Sequence, residues 1–206
     1  MKIAIYGKGI YEKGLHVAKK NGKHTKEYLV WRTMISRCYN PMYLKKHPSY
    51  EKCEVCDEWL YFQDFCKWFD ENYYEIDNEI MNLDKDFLCG IKNIKNKIYS
   101  PDTCIFIPQE INKTIIHQWN KTTNLPTGVK RTKSKNIYAV NVGKCYVGDF
   151  VGIKESFNQY IIAKNKDLIN KVNYYRNIPL NVKNVIIEYV DKNIFEKDCL
   201  NKDGLN

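Results

Sequence analysis

Residues Leu125–Ile169 read LPTGVKRTKSKNIYAVNVGKCYVGDFVGIKESFNQYIIAKNKDLI, and their pattern decides the architecture of the C-terminal half. GVKRTKS, NIYAVNV and KCYVGDF alternate as strands, joined by polar or glycine-containing turns. From Lys154 to Lys171 the period becomes helical, with Phe157, Tyr160, Ile161 and Leu168 as one apolar stripe. The expectation is a three-stranded antiparallel sheet packed on one helix, with Ala139 and Phe150 helping to fill the strand–helix interface. A second, shorter amphipathic helix follows in LNVKNVIIEYVDKNI, through Val182, Val185, Ile186, Tyr189 and Val190, before a frayed NKDGLN. This domain is expected to span 126–198. The boundary before it falls between Gln118 and Pro126, where WNKTTNLP is polar and turn-prone.

Composition bounds the rest. With 206 residues, 44% hydrophobic and 14% aromatic, the chain has enough apolar surface for one domain or two small ones. No run of eighteen apolar residues occurs, and MKIAIYGKGIYEKG lacks the apolar core of a signal peptide, so a soluble cytoplasmic protein with no membrane partner is expected. In a reducing compartment the eight cysteines are expected to be free, buried or metal-bound. The net charge of +9 conceals segregation: twelve of the twenty-four acids lie between Glu51 and Asp86, against Lys52, Lys67 and Lys85. From Ile111 to Gly148 there is no acid, while Lys113, Lys121, Lys130, Arg131, Lys133, Lys135 and Lys144 all fall there. Such a stripe is the electrostatic footprint of a phosphate-backbone binder, so double-stranded DNA is the expected partner; the plainer alternative is a solvated basic face.

In the N-terminal half, residues 1–27 read as an irregular glycine-punctuated arm, and GKGIYEKG is no phosphate loop because no Lys-Ser/Thr pair follows it. Tyr28–Tyr39 reads as a helix, and so does Glu58 to about Asn72, whose Trp59, Phe62, Phe65, Cys66 and Phe69 form a core stripe. The CEVC of Cys53 and Cys56 has the spacing of two thiolates on one tetrahedral ion, and Cys38 and Cys104 are candidates to complete a structural zinc site. The alternative is cysteines packed as small hydrophobes, the role assigned, together with surface exposure, to Cys66, Cys89, Cys145 and Cys199.

Between these halves, Leu83–Asn112 reads LDKDFLCGIKNIKNKIYSPDTCIFIPQEIN. One-metal phosphodiester hydrolysis needs oxygen or imidazole ligands, a base for water and cationic support for the transition state. Asp84 and Asp86 lie on an expected strand, with Lys85 facing away from both. Asn112 projects from a helix that starts near Pro108, with Glu110 as a further oxygen ligand. The alternative is a strand with solvated charges and a buried strand after the YSPDT turn.

Taken together, YLVWRTMISRCYN, YEKCEVCDEWLYFQDFCKWFDENYY, LDKDFL and NKIYSPDTCIFIPQEIN resemble a family of bacteriophage-encoded proteins placed near the HNH endonucleases, over most of residues 1–116. The resemblance implies a ββα-metal module at 1–118, with LDKD in the first-strand position and Asn112 in the helix position. It implies Mg or Mn held by Asp84 or Asp86 and Asn112, with Lys85 stabilising the phosphorane. The chain departs from the family in having no histidine between His47 and His117, so the general base is missing and Lys85 or Asp86 stands in its place. The C-terminal segment resembles the DNA-binding domain of plant ethylene-response factors, which also follows HNH modules in phage homing-type endonucleases. There the sheet enters the major groove, which makes Lys130, Arg131, Lys133, Lys135, Tyr138, Asn141 and Lys144 the contact candidates. One arginine among five basic residues implies more affinity than base specificity. The expected protein is α+β, an HNH-like module followed by the three-strand-plus-helix domain. Its expected function is that of a phage-type DNA-binding protein and metal-dependent, homing-type endonuclease. The alternatives are a catalytically inactive DNA-binding or regulatory protein, and an inhibitor of a host nuclease or defence complex whose acidic Glu51–Asp86 segment mimics DNA.

Overall fold

Gly, Asn and Tyr at positive φ shape the first elements of the chain. A computed structural model describes residues 2–76, 78–115, 119–120 and 123–192. Strands β1 (Lys2–Ile5) and β2 (Gly9–Glu12) pair antiparallel across a loop where Tyr6 and Gly7 take φ of 51° and 71°. Strands β3 (Lys19–Lys20) and β4 (Lys23–His24) pair across Asn21-Gly22, with φ of 52° and 76°, the left-handed pair that a type I′ turn demands. The irregular arm expected over residues 1–27 is therefore two hairpins, and the Asn-Gly dipeptide is the signal that announces the second. Gln63 clamps this region to the core: its Nε2 donates to the carbonyls of Glu12 (3.0 Å) and His16 (2.9 Å), and its Oε1 accepts from the His16 N–H (3.1 Å).

Next come α1 (Lys26–Tyr39), α2 (Pro41–Lys46), the two-residue β5 (Glu54–Val55) and α3 (Phe62–Asn72). The helix expected from Glu58 starts at Phe62, preceded by a single 3₁₀ turn at Glu58–Leu60. Its aromatic stripe is core, as expected: Trp59, Phe62, Phe65 and Phe69 are buried against Trp31, Met34 and Ile35 of α1, and the Trp31 indole donates to the Trp59 carbonyl at 2.8 Å. Burial of this kind stabilises by about 2 kcal/mol or more per large side chain. The unit closes with β6 (Met81–Asp84), α4 (Asp86–Ile91), β7 (Ile98–Tyr99) and β8 (Ile105–Pro108); β6 pairs with β8, and β5 runs parallel to β7.

The chain divides into compact units at 1–107 and 108–206. This division precedes the Gln118–Pro126 segment expected as a boundary, part of which lies outside the described residues, as does everything after Lys192. The second unit holds α5 (Gln109–Thr114), the short pair β9 (Trp119–Asn120) and β10 (Leu125–Pro126), the sheet β11 (Val129–Arg131), β12 (Ile137–Val142) and β13 (Cys145–Val151), then α6 (Ile153–Tyr174) and α7 (Leu180–Asp191). The sheet is antiparallel in the order β11-β12-β13 and packs on α6, the arrangement expected from its alternation. Phe157, Tyr160, Ile161 and Leu168 are buried, as are Val182, Ile186 and Tyr189 of α7.

Register assigns the two faces of the sheet. Val129 lies opposite Val140, and Arg131 opposite Tyr138, which in turn lies opposite Phe150. Val140 and Tyr138 are buried, so this row faces α6. Lys130, Ala139 and Asp149 form the alternate row on the free face. Ala139, expected in the strand–helix interface, is thus on the other side; Val140 and Tyr138 fill the interface instead. Gly128 (φ +80°) lets β11 approach the helix, since a Cβ there would sit 2.3 Å from the Tyr160 ring and 2.5 Å from the Asn141 carbonyl oxygen. No helix among the described residues is long and apolar enough to cross a membrane.

Candidate nucleic-acid interface and the buried charge cluster

The free face of the sheet carries Lys130, Asn141, Tyr146 and Asp149 beside the apolar Ile137, Ala139 and Val151, and its rim is basic. Thr132 shapes the loop between β11 and β12: its hydroxyl donates to the Ile137 carbonyl (2.9 Å) and accepts from the Ser134 N–H (3.2 Å). That leaves Lys133 and Lys135 exposed at one end of β12. At the other end Gly143, at φ +59°, begins the two-residue turn to β13 and exposes Lys144. A register shift after Val140 sets Asn141 opposite Tyr146, which is 62% exposed and hydrogen-bonds Asp149, lifting the phenol's pKa.

Of the contact candidates, Lys130 and Asn141 therefore lie on the free face, and Lys133, Lys135 and Lys144 on its rim. Tyr138 does not: it is 6% exposed and faces α6. Arg131 shares the Tyr138 row, is exposed at the sheet edge and holds its guanidinium 5.8 Å from that ring. Strand alternation carries the reason, because the residue at 138 and those at 139 and 141 cannot share a face. Tyr146 and Asp149 escape a sequence reading because the bulge that sets their register leaves no compositional mark.

The LDKD motif is organised differently from the expected strand. Strand β6 ends at Asp84 and helix α4 begins at Asp86, so the two carboxylates do not lie on one strand. Asp84 caps α4: its Oδ1 accepts from the N–H groups of Asp86 (3.0 Å) and Phe87 (3.1 Å). Burial, and then repulsion from Asp86, push Asp84 up against those two donors. Lys85, expected to face away, is buried 5.1 Å from the ring centroids of both Tyr50 and Tyr99 and 3.2 Å from Asp86 Oδ1. Burial opposes its charge, but Tyr99 and Asp86 outweigh that and hold its pKa above the usual lysine range. Burial likewise pushes Asp86 up, yet Lys85 and Lys97, the latter at 2.5 Å, bring it below the usual carboxylate range. Arg37 adds a second inward cation, 5.9 Å from the Tyr50 ring. Lys97, Tyr50 and Arg37 are remote in sequence from LDKD, which is why the motif alone does not reveal them.

Asn112 stands on α5, in the other compact unit from LDKD, with Glu110 ion-paired to Lys113 at 2.9 Å. The sequence order strand, strand, helix is present as β6, β8 and α5, but its three members do not fall in one unit.

The proposed metal ligands do not fit a metal. Among the described residues no three of His, Cys, Asp and Glu gather in a group that could hold an ion. Both LDKD carboxylates are already engaged by N–H donors or ammonium groups. Cys38, Cys53 and Cys104 are buried in the apolar core, and Cys56 packs at its edge. Burial pushes all four thiols up, Cys38 to about 12 with a second contribution from Cys53. Cys66 and Cys89 are buried too and Cys145 is exposed, while Cys199 lies outside the described residues. In comparisons with protein-family models, curated proteins and solved structures, nothing matches this chain.

Proposed function

We propose that this protein binds double-stranded DNA through the free face and basic rim of the β11–β13 sheet. The observation that carries this reading is the placement of exposed lysines at both ends of β12, with Lys130, Asn141 and Tyr146 on the face between them. Six residues at about 3.4 Å each make β12 roughly 17–20 Å long, against a major groove of about 12 Å. Lysines at its two ends therefore reach phosphates on either side of a groove that the strand enters. Lys130, Asn141 and Tyr146 then face the base edges, and Lys133, Lys135 and Lys144 neutralise backbone charge. Asp149 on the same face repels phosphate and sets the approach, although it also suits an amino group on cytosine.

For the first unit, the reading is a module that supports binding without cutting. Its support is chemical: the Asp84 oxygen serves a helix cap, Asp86 is neutralised by two lysines, and no histidine stands near in sequence to act as base. Gel shifts with a short duplex, run beside supercoiled plasmid with Mg²⁺ or Mn²⁺, test both parts. Salt-sensitive duplex binding without nicking is the expected result. Nicking that an Asp84→Ala, Asp86→Ala variant loses would restore the endonuclease reading, and absence of duplex binding would overturn the DNA-binding one.

A further inference from the structure

The two N-terminal hairpins build a groove that the duplex-binding face does not use. It has a volume of about 510 Å³, within the roughly 300–1,000 Å³ typical of ligand sites. Its floor is apolar, formed by Ile3, Ile5, Val17 and Ala18, and its aromatic wall is Tyr11, Tyr28 and His24. His24 stacks on Tyr28 at 4.9 Å with 19° between the planes; being exposed, it presents its outer face to a further ring. The stack is held in place from below, since Tyr28 packs edge-on against Phe62 and the Tyr11 hydroxyl accepts from the Ala18 N–H. His24 Nδ1 is fixed on the Ala18 carbonyl at 3.1 Å.

The rim is strongly cationic. Lys13 and Lys19 line the groove, and Lys20 and Lys23 of the β3–β4 hairpin are exposed. In the β3–β4 hairpin Lys20 lies directly opposite Lys23. Like charges so placed destabilise a strand pair, and an anion bridging them relieves the repulsion. An aromatic wall with an apolar floor and a lysine rim is the combination that takes an unpaired base while tracking its phosphates. A duplex cannot use such a groove, because its bases are stacked inside. The apolar floor favours thymine, whose methyl group uracil lacks.

We propose that this groove is a binding site for single-stranded DNA, with a base stacked on His24 and phosphates on Lys13, Lys19 and the β3–β4 lysines. The proposal rests on the N-terminal hairpins and stands apart from the duplex reading of the C-terminal sheet. The test is fluorescence anisotropy of the full chain with a labelled twenty-nucleotide oligo-dT, an abasic strand of equal length, an oligo-rU strand and a duplex. Wild type is expected to bind oligo-dT at least tenfold more tightly than the abasic strand and more tightly than oligo-rU. Lys13→Glu with Lys19→Glu, both exposed, should weaken oligo-dT at least tenfold, lower the salt slope by about 1.4 (about 0.7 per phosphate contact), and change duplex binding less than twofold. His24→Ala should erase the preference for bases over abasic sites. Equal binding of oligo-dT and the abasic strand by wild type, tighter binding of oligo-rU, or oligo-dT binding untouched by the lysine reversals would each overturn the proposal. Thermal melts of the variants verify that the fold is retained, and the wild-type comparison of strands stands without any variant.

Discussion

Two charge clusters, one in each unit, are built in opposite ways. In the first, Lys85, Arg37, Asp84 and Asp86 turn inward and each has a partner: a ring, a carboxylate, an ammonium or a helix terminus. In the second, Lys130, Lys133, Lys135 and Lys144 turn outward, and among the described residues no ion pair occupies them. Partnered charge holds a fold together, whereas unpartnered charge of one sign is available to a ligand. The motif with the look of a catalytic site is tied into the fold by these contacts, and the plainer lysine-rich strands leave the charge on which the proposed interface rests.

The sharpest way to break this contrast is charge reversal on the sheet rim. Lys133→Glu, Lys135→Glu and Lys144→Glu together should weaken duplex binding at least 100-fold and lower the salt slope by about 2.7, at about 0.9 per phosphate contact, with the thermal midpoint nearly unchanged. Anisotropy titrations over a salt series read both quantities, and an unchanged slope would remove the rim from the interface.

Gly128→Ala is expected to cost about 2–3 kcal/mol, because φ is positive and a Cβ would strike both the Tyr160 ring and the Asn141 carbonyl. Urea denaturation measures it, and the loss should be confined to hydrogen-exchange protection in the second unit. A smaller loss marks Asp84: Asp84→Ala should cost about 1–2 kcal/mol, the usual worth of a helix cap, while Asp84→Asn keeps an acceptor oxygen and should be spared most of it. A carboxylate needed for metal chemistry would show the reverse, with both variants stable and neither active.

Alkaline pH sharpens the comparison further. Buried thiols at Cys38, Cys66 and Cys104 and the phenols of Tyr74 and Tyr99 are all pushed up by burial. Above the unfolded thiol pKa near 8.5, the unfolded chain holds fewer protons than the folded one, so stability falls as pH rises, and for Cys38 it does so until about 12. Each thiol contributes a loss of about 1.4 kcal/mol per pH unit within its window. Among the described residues the buried thiols lie in the first unit, while Cys145 in the second is exposed; hydrogen exchange at pH 7.5 and 9.5, corrected for intrinsic rates, tests the difference. The smallest effect is at Tyr138→Phe, which should alter duplex affinity less than twofold because the ring faces α6, whereas Tyr146→Ala on the free face should weaken it severalfold.

Much of the second unit was legible because a buried face imposes periodicity. The alternation of NIYAVNV and the stripe Phe157, Tyr160, Ile161, Leu168 record which side meets the core, and the sheet and α6 follow. The same logic placed α1 and the aromatic core around Trp59 and Phe65. It failed at LDKD, where local alternation suggested a strand but the Asp84 carboxylate capped the following helix, and it missed the Asn-Gly turn that makes the arm a hairpin.

What the sequence determined by itself was helix α1, the β11–β13 sheet with α6 and α7, the segregation of charge and the α+β class, since these depend on neighbours in the chain. What only the tertiary structure decided was the partner of each charge. Lys85 meets Tyr50 and Tyr99, Asp86 meets Lys97, and Tyr138 turns to the helix while Tyr146 turns to solvent. Those outcomes depend on register, a bulge and contacts between residues distant in sequence, and a side chain's charge becomes either glue or binding surface only once such contacts are made.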